Sequence, residues 1–152
     1  MRFVLAIVLA SIAASTEAQT GASLSKKEQT RLKAEAARPP TAAQKKRMAE
    51  QVKKMDFGTL CSEAGRAFRA PRTTASGKHW DGLVVARANF PAGDIRPIKE
   101  RRLALGIDEC SAIAILGKPD AQTRSGQSNQ LVYRERKIYV YTDNGVVRGW
   151  QD

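Results

Sequence analysis

The sequence predicts an α+β fold in which helices come first and an antiparallel sheet ends the chain. Three observations predict it. Apolar residues recur at helical spacing behind Ser, Thr and Asp cap candidates as far as residue 116. Three runs rich in β-branched and aromatic residues then occupy 130–134, 137–142 and 146–151. The last two runs flank Asp143, Asn144 and Gly145, a hairpin signal, because Asn and Gly accept the positive backbone angles of a tight turn.

The first eighteen residues stand apart from this domain. Arg2, an apolar run over 3–14, and the small-residue stretch Ser15, Thr16, Glu17, Ala18 read as the three regions of a secretory signal peptide. The mature chain is then expected to begin near Gln19, in the periplasm or outside the cell. The apolar run is shorter than the roughly 18 residues a membrane helix needs, and no later stretch reaches that length. A lipoprotein needs a cysteine at the cleavage point, whereas the first cysteine here is Cys61, so lipid attachment is not expected.

Each further element has its own signal. Ser25 precedes 26–37, a run of good helix formers in which Leu32 is the one large apolar group, so this helix has little to bury. Arg38, Pro39 and Pro40 end it. Thr41 caps a second helix to about residue 55 with Met48, Val52 and Met55 on one side, a docking stripe or a partner-binding face. After Asp56, Phe57 and Gly58, Thr59 is expected to cap a helix through Phe68 that aligns Leu60, Cys61, Ala64 and Phe68. Residues 70–78 read as a loop. Residues 79–88 carry Trp80, Leu83, Val84 and Arg87 at helical spacing, although Leu83, Val84 and Val85 also suit a strand; helix is the preferred reading. After a connector over 89–94, Pro97 opens a helix that continues over 98–105 until Gly106. Asp108 caps the next, 109–116, which Gly117 and Pro119 terminate.

Charge and cysteines narrow the function classes. The chain of 152 residues has a formal charge of +11 and two cysteines. Residues 19–57 hold ten basic and four acidic side chains, and 58–152 hold fifteen and ten, so the excess is concentrated in a basic helical arm over 19–56. In an exported protein this charge faces anionic envelope surfaces or acidic proteins rather than nucleic acid. Residues 26–54 are the candidate contact, with a solvated helical surface as the plainer explanation. Export and an even cysteine count suggest a Cys61–Cys110 disulfide, the other reading being two separate buried thiols.

The C-terminal segment, about 95–152, resembles the SmpA/OmlA (BamE-like) module. The resemblance rests on Leu105 to Cys110, then Ile115, Leu116, Gly117, Lys118, Pro119 and Asp120, then Gln130 to Tyr133, Tyr139 to Tyr141, and Asp143 to Val147. It implies two short helices packed on a three-stranded antiparallel sheet; the helical and loop segment 57–94 is separately expected to pack on that core. It departs from the family in lacking a lipid-bearing cysteine and in placing Asp108 where Thr or Ser is usual. The resemblance implies an envelope or outer-membrane protein as partner. Exported inhibitors of β-lactamases use a similar two-layer design, which makes inhibition of an envelope or secreted enzyme the alternative function.

Catalytic material is sparse. His79 is the only histidine, and no P-loop, glycine-rich nucleotide fingerprint or calcium loop occurs, so no enzyme activity, cofactor or metal is expected. Asp108 and Glu109 stand at a helix start, where acidic groups favour the dipole. The hairpin is the better candidate. With a two-residue turn at Asn144 and Gly145, Tyr139 opposes Trp150 and Tyr141 opposes Arg148, while Ile138, Val140 and Val147 face the helices. That would gather Tyr139, Tyr141, Arg148 and Trp150 on an outer face, the composition favoured at binding hot spots. A three-residue turn would instead put Trp150 on the side of Ile138 and Val140.

Overall fold

The computed structural model describes residues 25–152; the signal-peptide reading of 1–18 lies outside these residues. Six α-helices precede a four-stranded antiparallel sheet of order β1-β2-β3-β4. Helix α1 is Lys26–Ala37 and α2 is Ala42–Lys54, each opened by a capping box, Ser25 with Glu28 and Thr41 with Gln44. No residue of α1 is buried, as its single large apolar group foretells. Helix α2 buries Val52, and Arg87 donates to the Val52 carbonyl.

Helix α3 runs Phe57–Arg69 and α4 Ala75–Ala88. Both begin earlier than the sequence predicts, for the same reason. Asp56, not Thr59, caps α3, its carboxylate accepting from the Thr59 backbone N–H at 2.9 Å and from the Thr59 hydroxyl at 2.7 Å. Thr74 caps α4 through Gly77, so half of the expected 70–78 loop is helical. The α3–α4 turn is fastened by buried Asp81, which accepts from Arg66 at 2.7 Å and from the Arg72 backbone at 2.6 Å.

A 3-10 turn, Ala92–Asp94, leads into α5, Ile95–Glu100. This helix ends five residues before the expected 105, because Arg101 takes a left-handed conformation (φ 54°) as its C-cap. The chain then turns, and Leu103 and Ala104 pack half-buried against the core. Helix α6, Glu109–Leu116, is capped by Asp108 as expected and is buried from Glu109 to Ile115. It lies between α3 on one side and the sheet on the other, sharing a core with Ile98, Leu131, Val140 and Val147. Gly65 makes the α3–α6 approach possible, since a Cβ there would overlap the Ala114 backbone. One helical turn away the Cys61–Cys110 disulfide joins the same two helices, with α-carbons 5.2 Å apart.

The sheet comprises β1 Ala121–Ser125, β2 Ser128–Tyr133, β3 Ile138–Asp143 and β4 Val146–Gln151. Strand β1 was not expected: Gln122, Thr123, Arg124 and Ser125 are all exposed, so this edge strand carries no hydrophobic alternation to reveal it. The three-stranded expectation is therefore corrected to four.

The β3–β4 hairpin combines parts of both expectations, a two-residue turn and Trp150 on the side of Val140, through a bulge that neither contained. The turn at Asn144 (φ 51°) and Gly145 (φ 74°) has two residues, and Asp143 pairs with Val146 and Thr142 with Val147. Beyond them the register slips by one, so that Tyr141 opposes Gly149, Val140 opposes Trp150 and Tyr139 opposes Gln151. The physical reason is that Val147 is held on two sides. Its N–H donates to the Ile107 carbonyl and its own carbonyl accepts from Gly106, both at 2.9 Å, while its fully buried side chain sits in the core. Arg148 is the extra residue of this bulge.

Candidate binding face and the carboxylate cleft

Alternation along the strands divides the sheet. Leu131, Tyr133, Val140 and Val147 turn toward the helices and are buried. Gln130, Tyr139 and Tyr141 turn the other way, and Tyr139 and Tyr141 remain 39% and 37% exposed. The Tyr141 hydroxyl donates to Gln151 Oε1 at 2.9 Å and accepts from Gln130 Nε2 at 3.4 Å. Bonds to strands on both sides hold the ring in place, so little side-chain entropy remains to be lost on binding. A groove of about 400 Å³ beside it is lined by Thr123, Ser125, Gln130, Tyr141, Asp143 and Arg148 among others.

Of the four residues expected to form one binding face, the bulge keeps three together and separates the fourth. Tyr139 and Tyr141 share the outer face, and Arg148 lines the same groove as Tyr141. Trp150 pairs with Val140 and so belongs to the opposite, helix-facing side, although its position at the end of the edge strand leaves it 39% exposed.

A second feature lies where α6 begins. A cleft of about 510 Å³ is walled by Phe57, Asn89, Asp108, Glu109, Arg124 and Asn129 among others. Glu109 is only 7% exposed. Its Oε1 accepts from Asn129 Nδ2 at 2.8 Å and its Oε2 from the Thr142 hydroxyl at 2.7 Å, so one carboxylate ties α6 to β2 and β3. The Arg124 guanidinium approaches Oε1 at 3.9 Å from an exposed position. Asp108 keeps its capping role, accepting from the Cys110 N–H at 2.7 Å, while its own N–H donates to Asp94 Oδ2 at 2.9 Å. Burial, then the negative charges of Asp94 and Glu109, push the Asp108 carboxyl above its ordinary pKa.

The sequence marks Asp108 as a helix cap but gives Glu109 no role beyond favouring the helix dipole. Only Thr142, a polar residue at a core-facing position of β3, hinted that a buried acceptor was needed. Among the described residues, no group of three or more His, Cys, Asp or Glu side chains is arranged to hold a metal ion. His79 is half-buried on α4, next to Trp80. No family model, characterised protein or solved structure matches the chain.

Proposed function

We propose that this protein is an exported, periplasmic, non-catalytic interaction factor of the cell envelope, built on a BamE-like module to which β1 adds a fourth strand. Its binding face is the outer side of the sheet, with Tyr139, Tyr141 and Arg148 as anchors and the basic helices α1 and α2 assisting encounter with anionic envelope surfaces. The observation that carries this reading is the pinned, solvent-facing Tyr141 beside exposed Tyr139 and the bulged Arg148. Aromatic and arginine side chains of this kind dominate binding energy at protein interfaces, because they desolvate large areas with few rotatable bonds. The disulfide joining α3 to α6 fits an oxidising compartment.

The test is capture of partners from an envelope extract by the immobilised full chain without residues 1–18. Tyr139→Ala/Tyr141→Ala should lower the yield of each specific partner by at least about tenfold, the scale of losing one hot spot. Both side chains are exposed, so the variant should fold normally. Unchanged capture by the folded variant would refute the assignment. An inhibitor acting through the same face would instead appear as stoichiometric loss of an envelope hydrolase's activity, abolished by the same two substitutions.

A further inference from the structure

The cleft at the start of α6 concentrates negative charge in a chain whose formal net charge is +11. Asp108 and Glu109 line it, and buried Asp94 stands behind them, its Oδ2 accepting from the Asp108 backbone N–H at 2.9 Å. Among the described residues, neither Asp94 nor Asp108 has a cationic group within ion-pairing distance. Glu109 has Arg124, but that exposed guanidinium stops 3.9 Å from Oε1, beyond hydrogen-bonding distance. The dipole of α6 adds only about half a positive charge at this end. Three carboxylates against one loosely held guanidinium leave the cleft anionic.

A second feature, independent of charge, marks the same cleft as a place for hydrogen-bond donors. Asn129 lines it, is 6% exposed, and donates from Nδ2 to Glu109 Oε1 at 2.8 Å. Its Oδ1 is buried and has no hydrogen-bond partner among the described residues. The bond to Glu109 fixes which amide atom is the oxygen, since a carboxylate only accepts. An unfilled amide oxygen costs free energy unless a donor reaches it. Across the cleft the wall is apolar, with exposed Phe57 beside Ala88 and Pro91. An aromatic ring and an aliphatic surface opposite buried acceptors suit an organic cation, the ring attracting its charge and the surface covering its methylene groups.

We infer that this cleft binds a guanidinium group carried on an apolar stem. A planar guanidinium presents several N–H donors at once, so it can serve Glu109 and Asn129 Oδ1 together, and it is more weakly hydrated than an ammonium. The stem lies on Phe57, Ala88 and Pro91. Arg124 brings a guanidinium toward the same carboxylate, but β1 holds it short of a bond, and the incoming group displaces it toward solvent. A cavity of about 510 Å³ has room for the group and its stem. Arg124 pairs with buried Asn129 on the helix-facing side of the sheet, so the site is separate from Tyr139 and Tyr141 and does not rest on them.

The probes are butylguanidinium and Nα-acetyl-arginine amide, titrated into the full chain without residues 1–18 at about 0.15 M salt and followed by NMR of the backbone amides. Both should bind, with shifts centred on Glu109, Arg124 and Asn129. Tighter binding of butylguanidinium would mark a free guanidine compound as the source, and tighter binding of the capped amino acid an arginine side chain of a polypeptide; either order supports the site. Butylammonium should bind at least about fivefold more weakly. Glu109→Gln should weaken both probes by at least roughly tenfold, the scale of a lost charge-assisted bond. Glu50→Gln, at an exposed position of α2, removes the same charge and should leave affinity within about twofold, as expected of a distant, screened group. Arg124→Gln, also exposed, should tighten binding about threefold by releasing its loose ion pair, a readout that stands even if Glu109→Gln impairs folding. No binding by the unaltered chain, equal effects of Glu109→Gln and Glu50→Gln, weaker binding by Arg124→Gln, or butylammonium binding as tightly as butylguanidinium would overturn the inference.

Discussion

Replacing Glu109 by alanine tests whether its carboxylate is a buried fastener or an ornament of the helix start. In the structure its two oxygens accept from Asn129 Nδ2 at 2.8 Å and Thr142 Oγ1 at 2.7 Å, and both donors are buried. Glu109→Ala removes two charge-assisted bonds and leaves those donors without the acceptor; allowing for partial relaxation, the net loss is about 3 kcal/mol. For a domain of this size that is a fall in Tm on the order of 12 °C. Glu109→Gln keeps one acceptor oxygen, and the Thr142 hydroxyl can turn to accept from the new amide, so this variant should lose only about 1 kcal/mol. If Glu109 served only the helix dipole, the two variants would cost nearly the same, about 0.3–1 kcal/mol. Urea denaturation followed by circular dichroism at neutral pH measures both. A cycle with Thr142→Val should reveal a coupling of roughly 1–2 kcal/mol, since the two residues share a bond. Equal small effects of Ala and Gln, with no coupling to Thr142, would refute the reasoning.

Three further outcomes follow from the same geometry. Cys61→Ala/Cys110→Ala removes a bridge closing 49 positions and should lower stability by about 4 kcal/mol in the chain-entropy model, on the order of 15 °C in Tm; an unchanged melting curve would show that the bridge constrains little. Gly65→Ala should destabilise by at least about 1–3 kcal/mol, because the added methyl meets the Ala114 backbone, which cannot move aside as a side chain would; wild-type stability would contradict the close α3–α6 approach. The Thr59 side-chain and backbone bonds, helped by Lys118, lower the Asp56 carboxyl to about 2, so its capping contribution is present above the ordinary carboxylate pKa of ~4 and is lost as pH falls through about 2. Asp56→Asn keeps a capping oxygen without the charge, so the stability gap between it and the unaltered chain should close as pH drops through that window. A gap independent of pH there would be inconsistent with this cap.

What was legible in the chain was local. Ser25, Thr41 and Asp108 announced the starts of α1, α2 and α6, because a cap satisfies backbone donors three residues away at most. The two-residue turn at Asn144 and Gly145 was legible for the same reason, its positive φ values being a matter of those residues alone. Leu32, the one large apolar residue of α1, already meant a helix with little to bury.

What remained hidden depends on groups far apart in sequence. Strand β1 is an exposed edge whose residues need no apolar pattern, so only the backbone of β2 makes it a strand. The bulge at Arg148 follows a Val147 held by the backbone of Gly106 and Ile107, some forty positions earlier, and by its own burial in the core, and the slip moves Trp150 away from the tyrosines. Glu109 shows no role beyond the helix start until Asn129 and Thr142 arrive beneath it. Caps and turns are decided by neighbours along the chain, whereas register and the burial of charge are decided by which surfaces meet.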